Sequence, residues 1–299
     1  MSDVLLVRYG ELALKSPPVR REFERTLRRN LLDQFAAAGV SCRVRSDRGH
    51  LYLDVEDARA AARIARRVFG VTSVSPARDV PTDRAVIAST LLEMADALLP
   101  KGQRFAVRAR RTGQHPFTSQ ELAAELGGAV FDRWPDRDLK VDLDHPQTDL
   151  HVEVRGPRTY LYTERFAGPG GLPVGVAGRV VAMVDGPRGA LGAYLMMKRG
   201  CMCSLVLGPE GEPEWGATLR RLDPRASVRT AAADGPPAMT LLREMVESSS
   251  ADGVVLPIAV DDFPDARLAW GDRVLFSPTV GLTDEEVVRR WNAVRELTQ

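Results

Sequence analysis

Between Gly168 and Cys201 the chain passes from a glycine-rich segment through a short apolar run into a helical pattern. This order restricts what the C-terminal third can fold into. Val180-Val181-Ala182-Met183-Val184 is an unbroken apolar stretch after Arg179, as in a strand buried on both faces. Gly189–Arg199 follows as a helix. Cys203–Leu207, Ser227–Thr230, Val254–Ile258 and Val274–Phe276 are further strand candidates, separated by helices such as Met239–Ser248. Strands alternating with helices imply a parallel, doubly wound, Rossmann-like sheet. Val184–Gly189 then lies where such a sheet holds phosphate.

The N-terminal half follows another pattern. Residues 3–8 alternate as a strand. After Pro17-Pro18, Phe23, Leu27, Leu31 and Phe35 share a helical face, and Gly39 ends that helix as a C′ residue. Residues 40–46 and 50–55 read as a hairpin around Asp47-Arg48-Gly49, Ala58–Phe69 as a helix and Val71–Pro76 as an edge strand. The order β-α-β-β-α-β is the ferredoxin-like split motif. A second α/β module follows: helix Thr82–Leu99, strand Arg104–Arg110, helix Ser119–Trp134 with Ser119 as N-cap, then strands at Lys140–Leu143, Leu150–Arg155 and Thr159–Arg165. Fold class is therefore α/β with an α+β N-terminal half. The expected domains are residues 1–78, 79–167 and 168–299.

The net charge of +1 conceals an asymmetry. Residues 1–165 hold 27 Lys+Arg against 23 Asp+Glu, and residues 166–299 hold 14 against 17. A basic N-terminal half is compatible with a polyanionic partner and equally with a solvated arginine-rich surface. No run of 18 apolar residues exists, so no membrane partner is expected, and the N-terminus lacks a secretory pattern. Cys42, Cys201 and Cys203 are too few for a disulfide framework, which points to a reducing, cytoplasmic setting. Cys42 alternates with Val40 and Val44 on one apolar face. Cys201 and Cys203 sit at a helix-to-strand entry and read as buried core. His50, His115, His145 and His151 show no metal spacing, so no metal site and no catalytic triad are expected.

Several segments resemble one family. Arg8-Tyr9-Gly10-Glu11-Leu12-Ala13-Leu14-Lys15, Arg20-Arg21-Glu22-Phe23-Glu24 and Arg29-Asn30-Leu31 resemble the opening of tRNA 4-thiouridine synthetases, the tRNA sulfurtransferases. Phe105-Ala106-Val107-Arg108-Ala109-Arg110-Arg111, Phe117–Leu122, Val141-Asp142-Leu143 and His151–Arg155 resemble the family's THUMP module. Gly168–Gly175 resembles its linker and Tyr194–Gly200 the first helix of its PP-loop domain. Pro278–Glu286 matches a last motif loosely. The resemblance implies a ferredoxin-like domain, a THUMP domain and a PP-loop ATPase domain. It also implies tRNA gripped at its acceptor end, with uridine 8 adenylated by ATP and then thiolated.

Arg108 and Arg110 share one face of their strand and Phe105, Val107 and Ala109 the other, with Arg111 at the strand end. Thr118-Ser119-Gln120 opens a helix, where free N–H groups favour phosphate. Such features are often merely solvated; with the resemblance they become RNA-binding candidates. Lys15, Arg20, Arg21 and Arg25 extend the set.

In the family the PP-loop reads Ser-Gly-Gly-x-Asp-Ser. The aligned residues here are Val184, Asp185, Gly186, Pro187, Arg188 and Gly189. Asp185 brings a negative charge to the phosphate position, Pro187 removes an N–H donor and Arg188 replaces an acid. The family's Cys-x-x-Cys falls on Ala238 and Leu241, with Arg243 and Met245 matching. No rhodanese-like extension is found. The expected function is tRNA binding without ATP-dependent thiolation, and no cofactor. The alternative is a divergent active sulfurtransferase using ATP and magnesium, with Asp185, Gly186, Arg188, Gly189 and Arg243 around the nucleotide. A third reading gives the C-terminal part to homodimer or modifying-enzyme pairing through exposed Trp215, Trp270 and Trp291.

Overall fold

The computed structural model describes residues 2–10, 16–47, 49–209, 213–232 and 235–298. The first elements are β1 (Ser2–Tyr9), α1 (Pro17–Ala37), β2 (Arg43–Asp47), β3 (His50–Asp54), α2 (Ala58–Ala65) and β4 (Val71–Pro81). Then come α3 (Arg84–Leu98), β5 (Arg104–Thr112), α4 (Ser119–Arg133), β6 (Lys140–Val141), β7 (Thr148–Arg155), β8 (Arg158–Tyr162) and β9 (Phe166–Ala167). The remainder is β10 (Arg179–Val184), α5 (Pro187–Lys198), β11 (Met202–Leu207), α6 (Pro213–Leu222), β12 (Val228–Thr230), α7 (Ala238–Ser248), β13 (Gly253–Val255), α8 (Phe263–Trp270), β14 (Val274–Phe276) and α9 (Asp284–Thr298).

The strand order β2-β3-β1-β4 is that of the split β-α-β-β-α-β motif. Two compact units divide the chain. One gathers Met1–Leu6, Tyr52–Ala62 and Ser75–Phe166; the other gathers Val7–Leu51, Arg63–Val74 and Ala167–Gln299.

In the first unit the strands run β4-β8-β7-β5-β6, with β7 parallel to β5 and antiparallel to β8. Asp83 caps α3 by accepting the Val86 N–H at 3.0 Å. Ile87 and Leu91 of α3 and Leu122 and Leu126 of α4 join Phe105 and Val152 in one core. Burying six such side chains, at about 1.5–3 kcal/mol each, is what holds the helices on the sheet.

The second unit contains a five-stranded parallel sheet, ordered β12-β11-β10-β13-β14. The chain steps from β10 out to β12, then crosses to β13 on the other side, so the switch of direction lies between β10 and β13. Val180, Ala182 and Val184 join a core with α5 and α9, whereas Val181 joins the opposite core with α7. Helices thus cover both faces, as the unbroken apolar run requires. Gly171 has φ +73°, and a Cβ there would lie 2.2 Å from the Lys198 carbonyl oxygen. Only glycine lets this linker close on the end of α5. Within this unit α1 is tied down by side chains: Asn30 Nδ2 donates to the Val174 carbonyl at 3.0 Å. Gln34 Nε2 donates to the Arg221 and Leu222 carbonyls at 2.8 and 2.9 Å.

Several expectations need correction. β4 is no edge: it continues to Pro81 and lies between β1 and β8. α2 ends at Ala65, and a turn carries the chain to Gly70 at φ +96°. β2 begins only at Arg43, so Val40 is exposed and Cys42 half-buried; the apolar face anticipated for them does not form. Trp270 and Trp291 are buried in the two cores of the C-terminal sheet and Trp215 packs partly against one of them. The exposed tryptophan surface is therefore absent.

Candidate nucleic-acid interface and nucleotide loop

On β5 the burial alternates less cleanly than the sequence implies. Phe105, Ala106 and Val107 are all buried, and the strand opens to solvent from Arg108 onward. Arg108 does not project freely. Its Nε donates to Asp149 Oδ1 at 2.8 Å and its Nη2 to the Leu143 carbonyl at 2.5 Å. Arg110 is exposed and makes no ion pair or hydrogen bond with the described residues. Arg111 donates to the Gly113 carbonyl at 3.1 Å.

The cap of α4 is Thr118, one residue earlier than the sequence reading placed it. Its hydroxyl accepts the Glu121 N–H at 3.1 Å, and Glu121 Oε2 accepts the Thr118 N–H at 2.7 Å. This capping box uses the N3 acid that a cap at Ser119 would have missed. The Thr118 N–H lowers the Glu121 carboxyl's pKa, as do the Thr118 hydroxyl and then Arg84 and Arg111. The helix start therefore already carries one anion, and the surrounding cations come from β5 and α3. Arg84 is the residue the sequence reading missed. It lies over the Phe117 ring at 5.0 Å and pairs with Glu125 at 3.1 Å. Only the fold brings it beside Arg111; its spacing along the chain carries no signal.

The N-terminal candidates belong to the second unit. Lys15 lies outside the described residues. Arg20 pairs with Glu24 at 2.9 Å, and this bond chiefly raises its pKa. Tyr9 also donates to Glu24, and burial first, then that carboxylate, raises its phenol. Arg25 pairs with Glu22 at 3.0 Å on the open face of α1. Arg21 is exposed and makes no ion pair or hydrogen bond with the described residues. Surface pairs of this kind are worth under about 1 kcal/mol, so a phosphate competes with them readily.

The nucleotide loop is built differently from what its alignment implies. Pro187 is not in the loop: it occupies the first turn of α5, where its missing N–H costs nothing, and Gly186 is the N-cap. Gly189 is needed for packing. A Cβ there would meet the Met183 carbonyl oxygen at 2.4 Å. Arg188 is committed elsewhere. Its Nη1 donates to the Thr279 carbonyl at 2.9 Å, and its Nη2 to the Leu282 carbonyl at 2.9 Å and to Asp284 Oδ1 at 2.8 Å. Desolvation by the loop raises the Asp185 carboxyl above the usual carboxylate range. Arg243 is remote in role: it donates to the Ala269 carbonyl at 2.8 Å and stacks on Trp270 at 4.7 Å.

These residues do not fit a triphosphate. A phosphate cradle needs free backbone donors and uncommitted cations. Here the nearest guanidinium is already spent on three oxygens, and the side chain at the strand end is an acid.

The three thiols are raised in pKa by their surroundings. Cys203 Sγ donates to the Ala193 carbonyl at 3.7 Å, and burial pushes its pKa well above 9.0. Burial, then Asp252, raises Cys201; desolvation raises Cys42. Raised thiols are poor nucleophiles. Among the described residues no group of three or more His, Cys, Asp or Glu could hold a metal ion, and no helix is long and apolar enough to cross a membrane.

Comparison with known proteins places this geometry. Residues 4–75 match the ThiI ferredoxin-like domain and residues 85–164 the THUMP domain. The probable tRNA sulfurtransferase of Methanothermobacter thermautotrophicus is 40% identical over 210 residues, covering 68% of this chain and 52% of that protein. The tRNA sulfurtransferase of Pyrobaculum aerophilum is 38% identical over 201 residues, covering 66% and 40%. The chain thus spans about half the length of the curated relatives it matches. Among solved structures, PH1313 from Pyrococcus horikoshii superposes with a TM-score of 0.83 at 25% identity, over 98% of this chain and 99% of that one. A 4-thiouridine synthetase solved as an RNA complex with bound ATP gives 0.81 at 20% identity, over 100% and 86%, a likeness of fold. With its ferredoxin-like and THUMP domains and a Rossmann-like sheet after them, the chain belongs to the tRNA sulfurtransferase family.

Proposed function

We propose that this protein binds the acceptor region of tRNA through its THUMP domain and does not carry out ATP-dependent thiolation. The RNA half of the reading is supported by the THUMP match and by the cations at the start of α4. Arg110 is open, and Arg84 and Arg111 flank an exposed helix start. Phosphates take up such cations without base readout. The ATP half rests on one observation above others. Arg188, the one cation within Val184–Gly189, is bound to Thr279, Leu282 and Asp284, so its charge is already committed beside Asp185. The domains we infer are residues 1–78, 79–167 and 168–299. The setting is cytoplasmic, in keeping with three free cysteines. Any chemistry on the bound tRNA then falls to a partner enzyme.

The test has two arms. Affinity for unfractionated tRNA, followed by anisotropy, should fall steeply as salt rises. Arg110→Ala with Arg111→Ala should weaken it about tenfold or more while the circular dichroism spectrum is kept. ATP with magnesium should leave the melting temperature unchanged, and tRNA incubated with ATP and sulfide should yield no 4-thiouridine by mass spectrometry. Undetectable tRNA binding at low salt sinks the first half. ATP-dependent stabilisation or thiolated nucleoside restores the enzyme reading.

A further inference from the structure

The outward face of α1 carries a row of arginines. Arg21, Arg25, Arg28 and Arg29 are all exposed. At 3.6 residues per turn they fall within an arc of about 100°, and Arg21 and Arg29 stand about 12 Å apart along the axis. Arg25 pairs with Glu22 at 3.0 Å. Arg21, Arg28 and Arg29 make no ion pair or hydrogen bond with the described residues. We propose that this face of α1 lies along the phosphate backbone of bound RNA, with Arg28 and Arg29 as contacts that add to Arg21 and Arg25. The assignment rests on the tRNA-binding reading above and extends it from the THUMP domain to α1 of the second unit.

The helix itself gives no reason for these cations. All five arginines of α1 lie between residues 20 and 29, and its last turn holds no base. The helix dipole favours cations at the C-terminal end, where α1 has none. Like charges three and four residues apart repel, as Arg25 does with Arg21, Arg28 and Arg29. Acids on the same helix would relieve this, and its three are committed. Glu22 pairs with Arg25, Glu24 holds Arg20 and Tyr9, and Asp33 pairs with Arg225 at 3.5 Å. An anion from outside the chain removes the repulsion. A phosphate is the anion whose paired oxygens a guanidinium fork matches. The apolar side of α1 is already spent: Leu27, Leu31 and Phe35 are buried, so none is left to lie on a membrane. No aromatic residue of α1 is exposed, so the face offers a base nothing to stack on and suits a backbone.

The experiment uses the full chain. Binding of unfractionated tRNA is measured across a salt series for wild type, Arg28→Ala/Arg29→Ala, Arg28→Lys/Arg29→Lys and, as a charge-matched control on α9, Arg289→Ala/Arg290→Ala. Alanine suits an exposed helical position, and circular dichroism checks that each variant is folded. Each phosphate neutralised contributes about 0.7–0.9 to the slope of log affinity against log salt. The alanine pair on α1 should lower the slope by about one and weaken binding roughly tenfold at low salt. The lysine pair should keep most of both, and the α9 pair should match wild type. Wild-type binding with an α1 alanine pair indistinguishable from the α9 control overturns this inference and leaves the tRNA reading standing. No wild-type binding overturns both. Polyglutamate is the last arm. If it binds wild type but not the α1 alanine pair, while tRNA binds the two equally, the face takes an acidic peptide and the RNA assignment fails.

Discussion

Arg188→Ala separates a clamp from a nucleotide ligand. The side chain is 19% exposed and donates to two carbonyls, of Thr279 and Leu282, both at 2.9 Å. Hydrogen bonds from a charged donor are worth about 1.5–3 kcal/mol each, and the alanine leaves both acceptors to find water in a narrow space. The third contact, to Asp284, adds well under about 1 kcal/mol, because that carboxylate side chain is 93% exposed. Discounting for partial exposure, the loss should be about 2–4 kcal/mol. For a unit of this size that is a fall of roughly 5–15 °C in its transition by calorimetry. Arg188→Lys should recover less than half, since an ammonium cannot reach two carbonyls with a planar fork. The titration with ATP and magnesium should be flat for all three proteins. A melting temperature lowered by less than about 1 °C would refute the clamp. So would an ATP-dependent stabilisation that is present in wild type and lost in Arg188→Ala.

Three further outcomes follow from packing and burial. Gly189→Ala should cost about 3 kcal/mol or more, read by urea denaturation, because its Cβ would press on a strand carbonyl 2.4 Å away and not on a yielding side chain. Gln34→Leu should cost about 1–3 kcal/mol by the same assay, since it strips two carbonyls at the end of α6 of their donor. Cys42, half-buried, should react first with a thiol reagent, and Cys203 last, only on unfolding. Folding raises the Cys201 and Cys203 pKa values, so their protonated thiols favour the folded state below pH of about 9. That contribution is lost as pH climbs through the raised values. Stability that rises between pH 8 and 10 would contradict their burial.

The parallel sheet was legible because its signal is local. Val180–Val184 must be buried on both faces wherever the chain goes, and the structure divides it between two cores. The split motif was legible for the same reason, from periodicity and turn residues. What escaped was whatever depends on a partner far along the chain. Cys42 alternates correctly with Val44, yet the strand starts too late to bury it. Trp270 and Trp291 read as surface residues in polar surroundings, and helices from distant segments cover them. Thr118 and Ser119 are equally good caps by composition. Glu121, three residues after Thr118, selects between them, and that spacing was readable in the sequence.

The nucleotide loop shows the same distinction in its chemistry. Alignment gives the loss of small and hydroxyl residues at Val184–Gly189, but loss alone does not say what the replacements do. Pro187 looked like a deleted donor and is a helix starter. Arg188 looked available to pyrophosphate and is the residue that fastens Thr279–Asp284 to the first turn of α5. Gly189, standing where the family has its final Ser, is held to glycine by a strand carbonyl that passes beside it, a packing demand that holds with or without a nucleotide. A loop that holds a ligand keeps its donors free until the ligand arrives. This one spends its cation on its own chain, and an open cation lies elsewhere, at Arg110 beside α4.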